Sequence, residues 1–360
     1  MNQPIETGPH PFPSALENAR GDWAAFGLVD DIRPALRDAK EARETCALIT
    51  LHAADGGPRG VGAQMLVSPS TVTGYLSGGC IEADVTHHAL ATISDGQPRE
   101  LVYGRGGPID IRLPCGGRIE LLVERIAPDD LAADRLLKLW HERRPALWLS
   151  NGIMRSCFAD DEVLPDASRE AGAAISGPAS MPPGNAPAIY RRFLPQNRLV
   201  VLGSDPTSLA LSTLAAASGM DVVLVRPIGP EAAPPVPGIG YLRSSPKDAF
   251  AQIGLDTWTA VVIAMHDDIN DDEALLSALP SSAGYVGLLG SSRRLPQKFE
   301  RLRDRGVAEA AIARLNAPIG LSIGARAPWQ IATSIFAEVT QWSTSAERSY
   351  AWHGAPHAAD

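Results

Sequence analysis

From Arg198 onward, short apolar segments alternate with segments of helical character. The apolar segments read RLVVLG (198–203), DVVLVRP (221–227), AVVIAMH (260–266) and YVGLLG (285–290). Apolar runs of about 4–8 residues are typical of strands buried on both faces, and strands that alternate with helices form a parallel sheet. This alternation constrains the fold more than any other feature of the chain. It predicts a doubly wound parallel-sheet domain over residues 196–342.

A smaller α/β domain is predicted over residues 15–126, where short strands flank a helix near residues 80–93. Residues 127–195 are predicted to contain one helix, short strands and a Gly/Pro-rich stretch. The composition of this last stretch is typical of an excursion or a linker. The last residues, 343–360, lack periodicity and predict a disordered tail. The fold class is therefore α/β, a small N-terminal α/β domain followed by a Rossmann-like doubly wound domain.

The charge balance limits the classes of partner. The chain of 360 residues has 32 Lys and Arg against 41 Asp and Glu, a net charge of −9. Nucleic-acid binding requires a concentrated basic surface, and none is visible in the sequence. The first residues lack the pattern of a signal peptide, and no run approaches the roughly 18 apolar residues of a membrane span. We therefore expect a cytoplasmic protein that binds neither nucleic acid nor membrane.

The first segment that could carry chemistry is Ser77-Gly78-Gly79-Cys80, followed by Ile81 and Glu82. Two glycines at a strand-to-helix turn let backbone N–H groups point at a bound anion, and a helix N-terminus adds partial positive charge. These features favour a thiolate at Cys80 that could bind a soft metal or handle sulfur. A Gly-Gly turn followed by a small buried cysteine is the structural alternative.

A second segment repeats this pattern. Cys115 is followed by Gly116, Gly117 and Arg118, immediately before a predicted strand. Two Gly-Gly turns with a thiol in one small domain favour two walls of a single site.

The C-terminal domain departs from the fingerprint of dinucleotide-binding domains. After the strand RLVVL comes Gly203, but Asp205 and Ser208 stand where a GxGxxG motif would have glycines. Asp205 followed by Pro206 is a good helix start, with Asp as N-cap and Pro in the first turn. The same carboxylate would occupy the place of a pyrophosphate at the helix N-terminus, which disfavours NAD(P) binding.

Further candidates lie at the carboxyl ends of predicted parallel strands, where open α/β sheets bind ligands. Hydroxyls, backbone donors and cations follow the strand YVGLLG and could form an anion site. An ordinary loop histidine and solvated surface arginines remain the alternatives. The candidates of this domain are Gly203, His266, Ser291, Ser292, Arg293 and Arg326.

The segments SGGCIEADV and YGRGGPIDIRLPCGGRIELLVE, the upstream GGPRGVGAQMLV and the late YVGLLGSSRRLPQKFERLRDRGV and NAPIGLSIGARAPWQIATSIFAEV closely resemble the xanthine dehydrogenase accessory (XdhC/CoxI) family. The resemblance covers about residues 45–125 and 198–340. It implies a non-catalytic maturation factor that binds molybdenum cofactor and protects it while a cysteine desulfurase installs the sulfido ligand. The factor would then deliver the cofactor to an apo molybdenum hydroxylase of the xanthine dehydrogenase type.

The residue types suit such a cargo, molybdopterin or molybdopterin cytosine dinucleotide, which carries phosphate and a thiolate-bound metal. We predict a homodimer whose cofactor contacts include the candidates above, and the two thiols are the candidate molybdenum contacts. The predicted contacts of the N-terminal domain are Arg59, Ser77, Gly78, Gly79, Cys80, Glu82, Cys115, Gly116, Gly117 and Arg118.

Two other functions remain open at this stage. The fold permits an NAD(P)-dependent oxidoreductase with a degenerate fingerprint, although Asp205 argues against it. A thiol enzyme that itself carries persulfide on Cys80 is the third hypothesis.

Overall fold

The computed structural model describes residues 25–57, 59–105, 113, 116–162 and 189–349. These residues form two compact units, which divide between Pro195 and Gln196. The N-terminal unit and the C-terminal unit are described separately below.

The N-terminal unit contains a five-stranded sheet of order β3-β2-β1-β5-β4, in which every neighbouring pair is antiparallel, and a three-stranded antiparallel sheet of order β7-β6-β8. Its helices and strands are α1 (Arg33–Glu41), β1 (Cys46–Asp55), β2 (Gln64–Val67), β3 (Val72–Gly74), α2 (Glu82–Asp95), β4 (Arg99–Gly104), β5 (Arg118–Ile126), α3 (Leu131–His141), β6 (Ala146–Ser150), β7 (Arg155–Ala159) and β8 (Ile189–Phe193).

Two hydrophobic cores lie on opposite faces of the five-stranded sheet, because successive side chains of a strand point to opposite faces. Ala47 and Ile49 of β1 pack in the core that α2 covers. Cys46 and Leu48 pack in the other core, together with α1, α3 and the three-stranded sheet.

The described parts of residues 127–195 contain the predicted helix and short strands, and they belong to the core of the N-terminal unit. This unit therefore does not end at residue 126, which corrects the predicted domain end. Trp148 of β6 is fully buried there. The carboxylate of Glu124, also fully buried, accepts hydrogen bonds from Ser150 Oγ (2.5 Å), Arg155 Nε (3.1 Å) and Trp148 Nε1 (3.3 Å). This buried network ties β5 to β6 and β7. The Gly/Pro-rich part, residues 163–188, lies outside the described residues.

The C-terminal unit contains a parallel sheet of order β11-β10-β9-β12-β13-β14. Its helices and strands are β9 (Arg198–Gly203), α4 (Pro206–Ala217), β10 (Asp221–Val225), β11 (Ile239–Leu242), α5 (Pro246–Ile253), β12 (Thr259–Ala264), α6 (Asp268–Ala278), β13 (Tyr285–Leu288), α7 (Leu295–Asp304), α8 (Glu309–Ile312), β14 (Leu315–Asn316) and α9 (Pro328–Ser349).

Numbered within the unit, these strands run 3-2-1-4-5-6, the order of dinucleotide-binding Rossmann domains. Val200 and Leu202 of β9 pack under α5, α6 and α7, whereas Leu199 and Val201 pack under α4 and α9. The predicted fold class is confirmed. The strand order reverses between β9 and β12, and this reversal creates the crevice where such sheets bind ligands.

The last helix corrects the predicted tail. Helix α9 continues to Ser349, so residues 343–349 are helical. Tertiary contacts hold this end: Trp342 packs on the ring of Tyr285, with 5.7 Å between centroids, and Glu347 accepts a hydrogen bond from Asn197 Nδ2 (2.9 Å). Residues 350–360 lie outside the described part.

Within the described ranges, no helix combines the length and the apolar composition that crossing a membrane requires.

Candidate functional site

The antiparallel sheet of the N-terminal unit brings the predicted site segments to one edge. The loop after β1, the loop after β3 and the loop before β5 all lie there, since β1 and β3 end and β5 begins at that side. We call this side the loop edge; its described residues are 56, 57, 59–63, 75–81, 105, 116 and 117. The described candidates of the N-terminal unit are residues of this loop edge, except Glu82 and Arg118, which follow it directly in sequence.

The glycine loop before α2 is closed around a carboxylate of the chain itself. Glu82 is 4% exposed, and its Oε1 accepts hydrogen bonds from the backbone N–H groups of Leu76 (3.0 Å), Ser77 (2.7 Å) and Gly78 (3.2 Å). Its Oε2 accepts from the N–H of Gly79 (2.8 Å), the N–H of Ile81 (3.2 Å) and Ser77 Oγ (2.9 Å). Gly78 (φ +87°) and Gly79 (φ +110°) adopt backbone conformations that direct these donors inward.

This geometry corrects the interpretation that the loop donors receive a ligand anion. Burial raises the pKa of Glu82, but the hydrogen bonds from Ser77 and Leu76 outweigh burial and hold that pKa below its ordinary value. Glu82 is therefore ionised at neutral pH. The anion of the nest is Glu82, and Ser77, which also accepts from the N–H of Cys80 (3.1 Å), stabilises the same turn.

Cys80 is the exposed member of the described cysteines. The structural alternative, a small buried cysteine, is therefore wrong. Cys46 and Cys157 are buried, and burial raises the pKa of both thiols to about 12. Cys80 is thus the described thiol that a ligand can reach, on a loop that Glu82 holds in one conformation.

The second Gly-Gly turn has a packing role. A Cβ on Gly117 would lie 2.9 Å from the carbonyl carbon of Gly56, so the two loops approach backbone to backbone. Arg118 donates from Nε to Glu120 (2.9 Å) and from Nη1 to the carbonyl of Arg105 (2.9 Å), so internal partners hold its guanidinium. Cys115 lies outside the described residues.

Arg59 connects the loop after β1 to the segment that leads into Cys80. Its Cζ lies 4.5 Å from the ring centroid of Tyr75, a cation–π contact, and its Nη2 pairs with Asp30 Oδ1 at 2.5 Å. Its Nε is buried and has no hydrogen-bond partner among the described residues. Arg59 is therefore a predicted site residue with a buried donor that a ligand could use.

The two Gly-Gly turns share the loop edge, but β2 and β1 lie between β3 and β5 in the sheet. Three strand spacings amount to about 14 Å, so the turns flank the edge and do not touch across it. In the described part of the chain, no group of three or more His, Cys, Asp or Glu side chains could hold a metal ion. A direct contact of Cys80 with molybdenum stays a prediction.

In the C-terminal unit, Asp205 closes the N-terminus of α4. It is the N-cap, and its Oδ1 accepts from the N–H (2.8 Å) and the Oγ (2.6 Å) of Ser208. Burial raises the pKa of Asp205, while the bonds from Ser208 and His266 outweigh burial and lower it. A Cβ on Gly203 would collide with Ser208 Oγ, so this glycine permits close packing of strand and helix. The predicted N-cap is confirmed, and a carboxylate fills the usual pyrophosphate position.

His266 follows β12 on the other side of the crevice. Its backbone is left-handed (φ +57°), and its Nε2 lies 3.3 Å from Asp205 Oδ2. His266 and Asp205 therefore close the crevice between β9 and β12 together. The role of His266 toward a ligand stays a prediction.

The remaining candidates of this unit lie at the same carboxyl edge of the sheet, after β13 and before α9. Ser291, Ser292, Arg293 and Arg326 are exposed. The guanidinium groups of Arg293 and Arg326 form no ion pair with another described residue. An anion site on these residues stays a prediction.

Two cations of the structure, Arg191 and Lys298, were not among the predicted site residues. Arg191, on β8, is a cation with an unpartnered Nε that faces the loop after β1, and the sequence IYRRF gives no sign of this. Lys298 is buried beneath α6 and donates to Asp271 Oδ2 at 3.1 Å. A helical pattern does not show which of its cations is buried, so the sequence gives no sign of the role of Lys298.

Two family models match this chain, one in each of its two units. The XdhC and CoxI family model matches residues 39–104, and the XdhC Rossmann domain model matches residues 199–339. The molybdenum cofactor insertion chaperone PaoD of Escherichia coli is 31% identical over 319 residues, which are 87% of this chain and 89% of PaoD. A probable xanthine dehydrogenase subunit of Bacillus subtilis is 25% identical over 330 residues, with 84% and 94% coverage.

A crystal structure described as a xanthine dehydrogenase from Bacillus halodurans matches with a TM-score of 0.70 and 23% identity. The match covers 89% of this chain and 98% of that chain, and it supports the fold. Three observations agree on the family. They are the motifs of the loop edge, the strand order of the C-terminal unit and the likeness to PaoD over most of both chains. The chain belongs to the XdhC/CoxI family.

Proposed function

We propose that this chain is a molybdenum cofactor chaperone, a non-catalytic maturation factor that holds the cofactor and passes it to an apo molybdenum hydroxylase of the xanthine dehydrogenase type. The relationship to PaoD, named as a cofactor insertion chaperone, supports this class of function. The observation that carries the proposal is the exposed Cys80 thiol on a turn that the buried Glu82 fixes.

The residues of the loop edge suit the two ends of such a cargo. A thiolate is a soft ligand that can coordinate a thiolate-bound metal such as the molybdenum of this cofactor, and guanidinium groups bind phosphate with paired hydrogen bonds. Cys80 supplies the first, and Arg59 supplies the second from the neighbouring loop. Because Glu82 satisfies the donors of the turn, the thiol is presented without any rearrangement of the backbone.

The first helix of the C-terminal unit is unsuited to a nicotinamide dinucleotide. Asp205 places a negative charge where the pyrophosphate of NAD(P) would bind the helix N-terminus, and repulsion between the two disfavours that ligand. We propose that Arg293 and Arg326, exposed at the carboxyl edge of this unit, bind an anionic group there. This chemistry favours a chaperone over an oxidoreductase.

Sulfuration and delivery complete the proposal. A cysteine desulfurase would supply sulfur while Cys80 shields the metal end, and the apo-hydroxylase would then take the cofactor. A homodimer is the proposed assembly.

The test is to purify the protein from a host that makes molybdenum cofactor and to quantify the pterin released after denaturation and oxidation. Near-stoichiometric pterin is expected in the wild type and in a Cys157→Ala control, which removes a buried thiol, whereas Cys80→Ala should lose it. A folded wild type without pterin would contradict the proposal, and saturable binding in a nicotinamide titration would favour the oxidoreductase.

A further inference from the structure

Arg191 is a cation without a counter-charge of its own. It lies in β8, an edge strand, opposite Trp148. Its Nε is buried without a hydrogen-bond partner, and within the described ranges its guanidinium forms neither a hydrogen bond nor an ion pair. Its one close aromatic contact in those ranges is Phe193, 5.3 Å from Cζ to the ring centroid. Arg191 as a whole is half-buried, and the unsatisfied atom is its buried Nε. A cation with a buried donor that lacks an acceptor points to an anion that binds there.

The surrounding charges leave a positive excess. Arg33 is held by Asp31, through Nε at 2.8 Å and Nη2 at 2.7 Å, and Arg59 is held by Asp30. Burial lowers the pKa of Arg191, and the charges of Arg33 and Arg59 lower it further against the opposing effect of Asp31 and Asp30. Three guanidinium groups therefore face two carboxylates, and the uncompensated charge is on Arg191.

The backbone of the loop edge leaves room for this cation. Gly62, at the end of the loop after β1, has φ +92°, and a Cβ built there would lie 2.6 Å from Arg191 Nη1. A side chain at this position would displace the guanidinium. Because Gly62 has no side chain, the Arg191 guanidinium lies against the loop that also contains Arg59.

Arg59 can be shared with a ligand. Its partner Asp30 is 66% exposed at the side chain, so water can solvate that carboxylate when the pair opens. The ring of Tyr75 holds the Arg59 guanidinium from one face, and Tyr75 begins the segment that leads to Cys80. The Arg191 side chain reaches the loop edge from β8 of the other sheet, at Gly62, so both guanidinium groups lie at the loop edge that also contains the exposed thiol.

We propose that Arg191 and Arg59 form a phosphate-binding site that holds the phosphate group of the molybdenum cofactor while Cys80 faces its metal end. The assignment to the cofactor rests on the proposed function, whereas the affinity for a phosphate group does not. The planar fork of a guanidinium matches two phosphate oxygens, and two such groups bind a dianion.

The test is a calorimetric titration of the full chain with pyrophosphate and with inorganic phosphate. Loss of a hydrogen-bonded charge partner should weaken binding about ten- to hundredfold in Arg191→Gln. Arg191→Lys, which keeps the charge but loses the fork, should bind with intermediate affinity. Arg144→Gln is the matched control, because Arg144 pairs with Asp161 in the same unit and should bind like wild type.

Stability separates the site from a structural role. Without anion, Arg191→Gln should melt at the wild-type temperature or above it, since the substitution removes an unpaired cation. Added pyrophosphate should raise the melting temperature of the wild type and leave that of the variant unchanged. A variant that melts well below the wild type without anion would indicate a structural role and overturn the proposal.

The two proposals fail in different ways. Equal pyrophosphate affinity in wild type and Arg191→Gln overturns the phosphate site, whatever the pterin content of the protein. Weakened pyrophosphate binding with undiminished pterin in Arg191→Gln overturns the assignment to the cofactor. Wild type that lacks pterin but binds pyrophosphate through Arg191 contradicts the proposed function and supports the site.

Discussion

The carboxylate of Glu82 is the feature of the loop edge whose removal has the most direct consequence. In Glu82→Gln, an NH₂ group replaces one carboxylate oxygen. This group donates and cannot accept, so it faces backbone N–H groups without forming hydrogen bonds to them. Each oxygen accepts from at least two backbone N–H groups, so at least two bonds to a charged acceptor are lost. At about 1.5–3 kcal/mol for a hydrogen bond to a charged group, and with partial solvation of the exposed glycines, we expect a loss of about 3 kcal/mol.

The assay is urea unfolding of Glu82→Gln beside Glu100→Gln, an exposed control in β4 that should stay within about 0.5 kcal/mol of wild type. The pKa of Glu82 is lowered in the folded protein, so its contribution is present above the unfolded value of about 4.3 and is lost as the pH falls through the folded value. The variant should therefore lose less stability than wild type below about pH 4.3. A change under about 1 kcal/mol at pH 7 would refute the reasoning, because it would mean that water satisfies the loop donors.

Three further predictions concern other parts of the chain. Iodoacetamide followed by peptide mapping at pH 8 should label Cys80 in the native protein and spare Cys46 and Cys157, whose thiol pKa values burial raises to about 12; labelling of all three at one rate would contradict the buried placement. Arg155→Met should lower the free energy of unfolding by about 3–5 kcal/mol, since Glu124 would stay buried without its partner, and a loss under about 1 kcal/mol in urea unfolding would show that water reaches it. Asp205→Ala should cost about 1 kcal/mol through the lost N-cap, and unchanged stability would mean that the cap is dispensable.

Local sequence patterns were sufficient to predict much of the secondary structure and the class of fold. The apolar segments after Arg198 predicted parallel strands, and Asp205-Pro206 predicted a helix start, because both depend on neighbours in sequence. The end of the N-terminal unit was not predictable in this way. The sequence predicted a helix and short strands after residue 126 but placed them outside the first domain. In the structure β6 and β7 complete a core with β1, since burial depends on what packs against a segment.

The candidate site divides along the same line. The sequence showed the Gly-Gly-Cys turn and the departure from the GxGxxG motif, since each is a short motif with a known backbone consequence. Arg59 was named for its charge alone, and its role toward a ligand stays a prediction. The sequence assigned the turn's donors to a ligand, because the motif shows that N–H groups converge but not which anion they meet. The chain's own Glu82 occupies the position where a ligand anion was expected. Asp205 caps α4, as its position before Pro206 predicted.

The sequence by itself therefore determined the class of fold, the places where the chain turns and the chemical types gathered there. Tertiary structure alone decided which charges are neutralised and which are left open. Arg191 meets Gly62 and the Arg59 loop across a long stretch of chain, and its excess charge exists because Asp30 and Asp31 are already paired. Charge compensation depends on distances in space and on exclusion of water, and neither can be read from the order of residues along the chain.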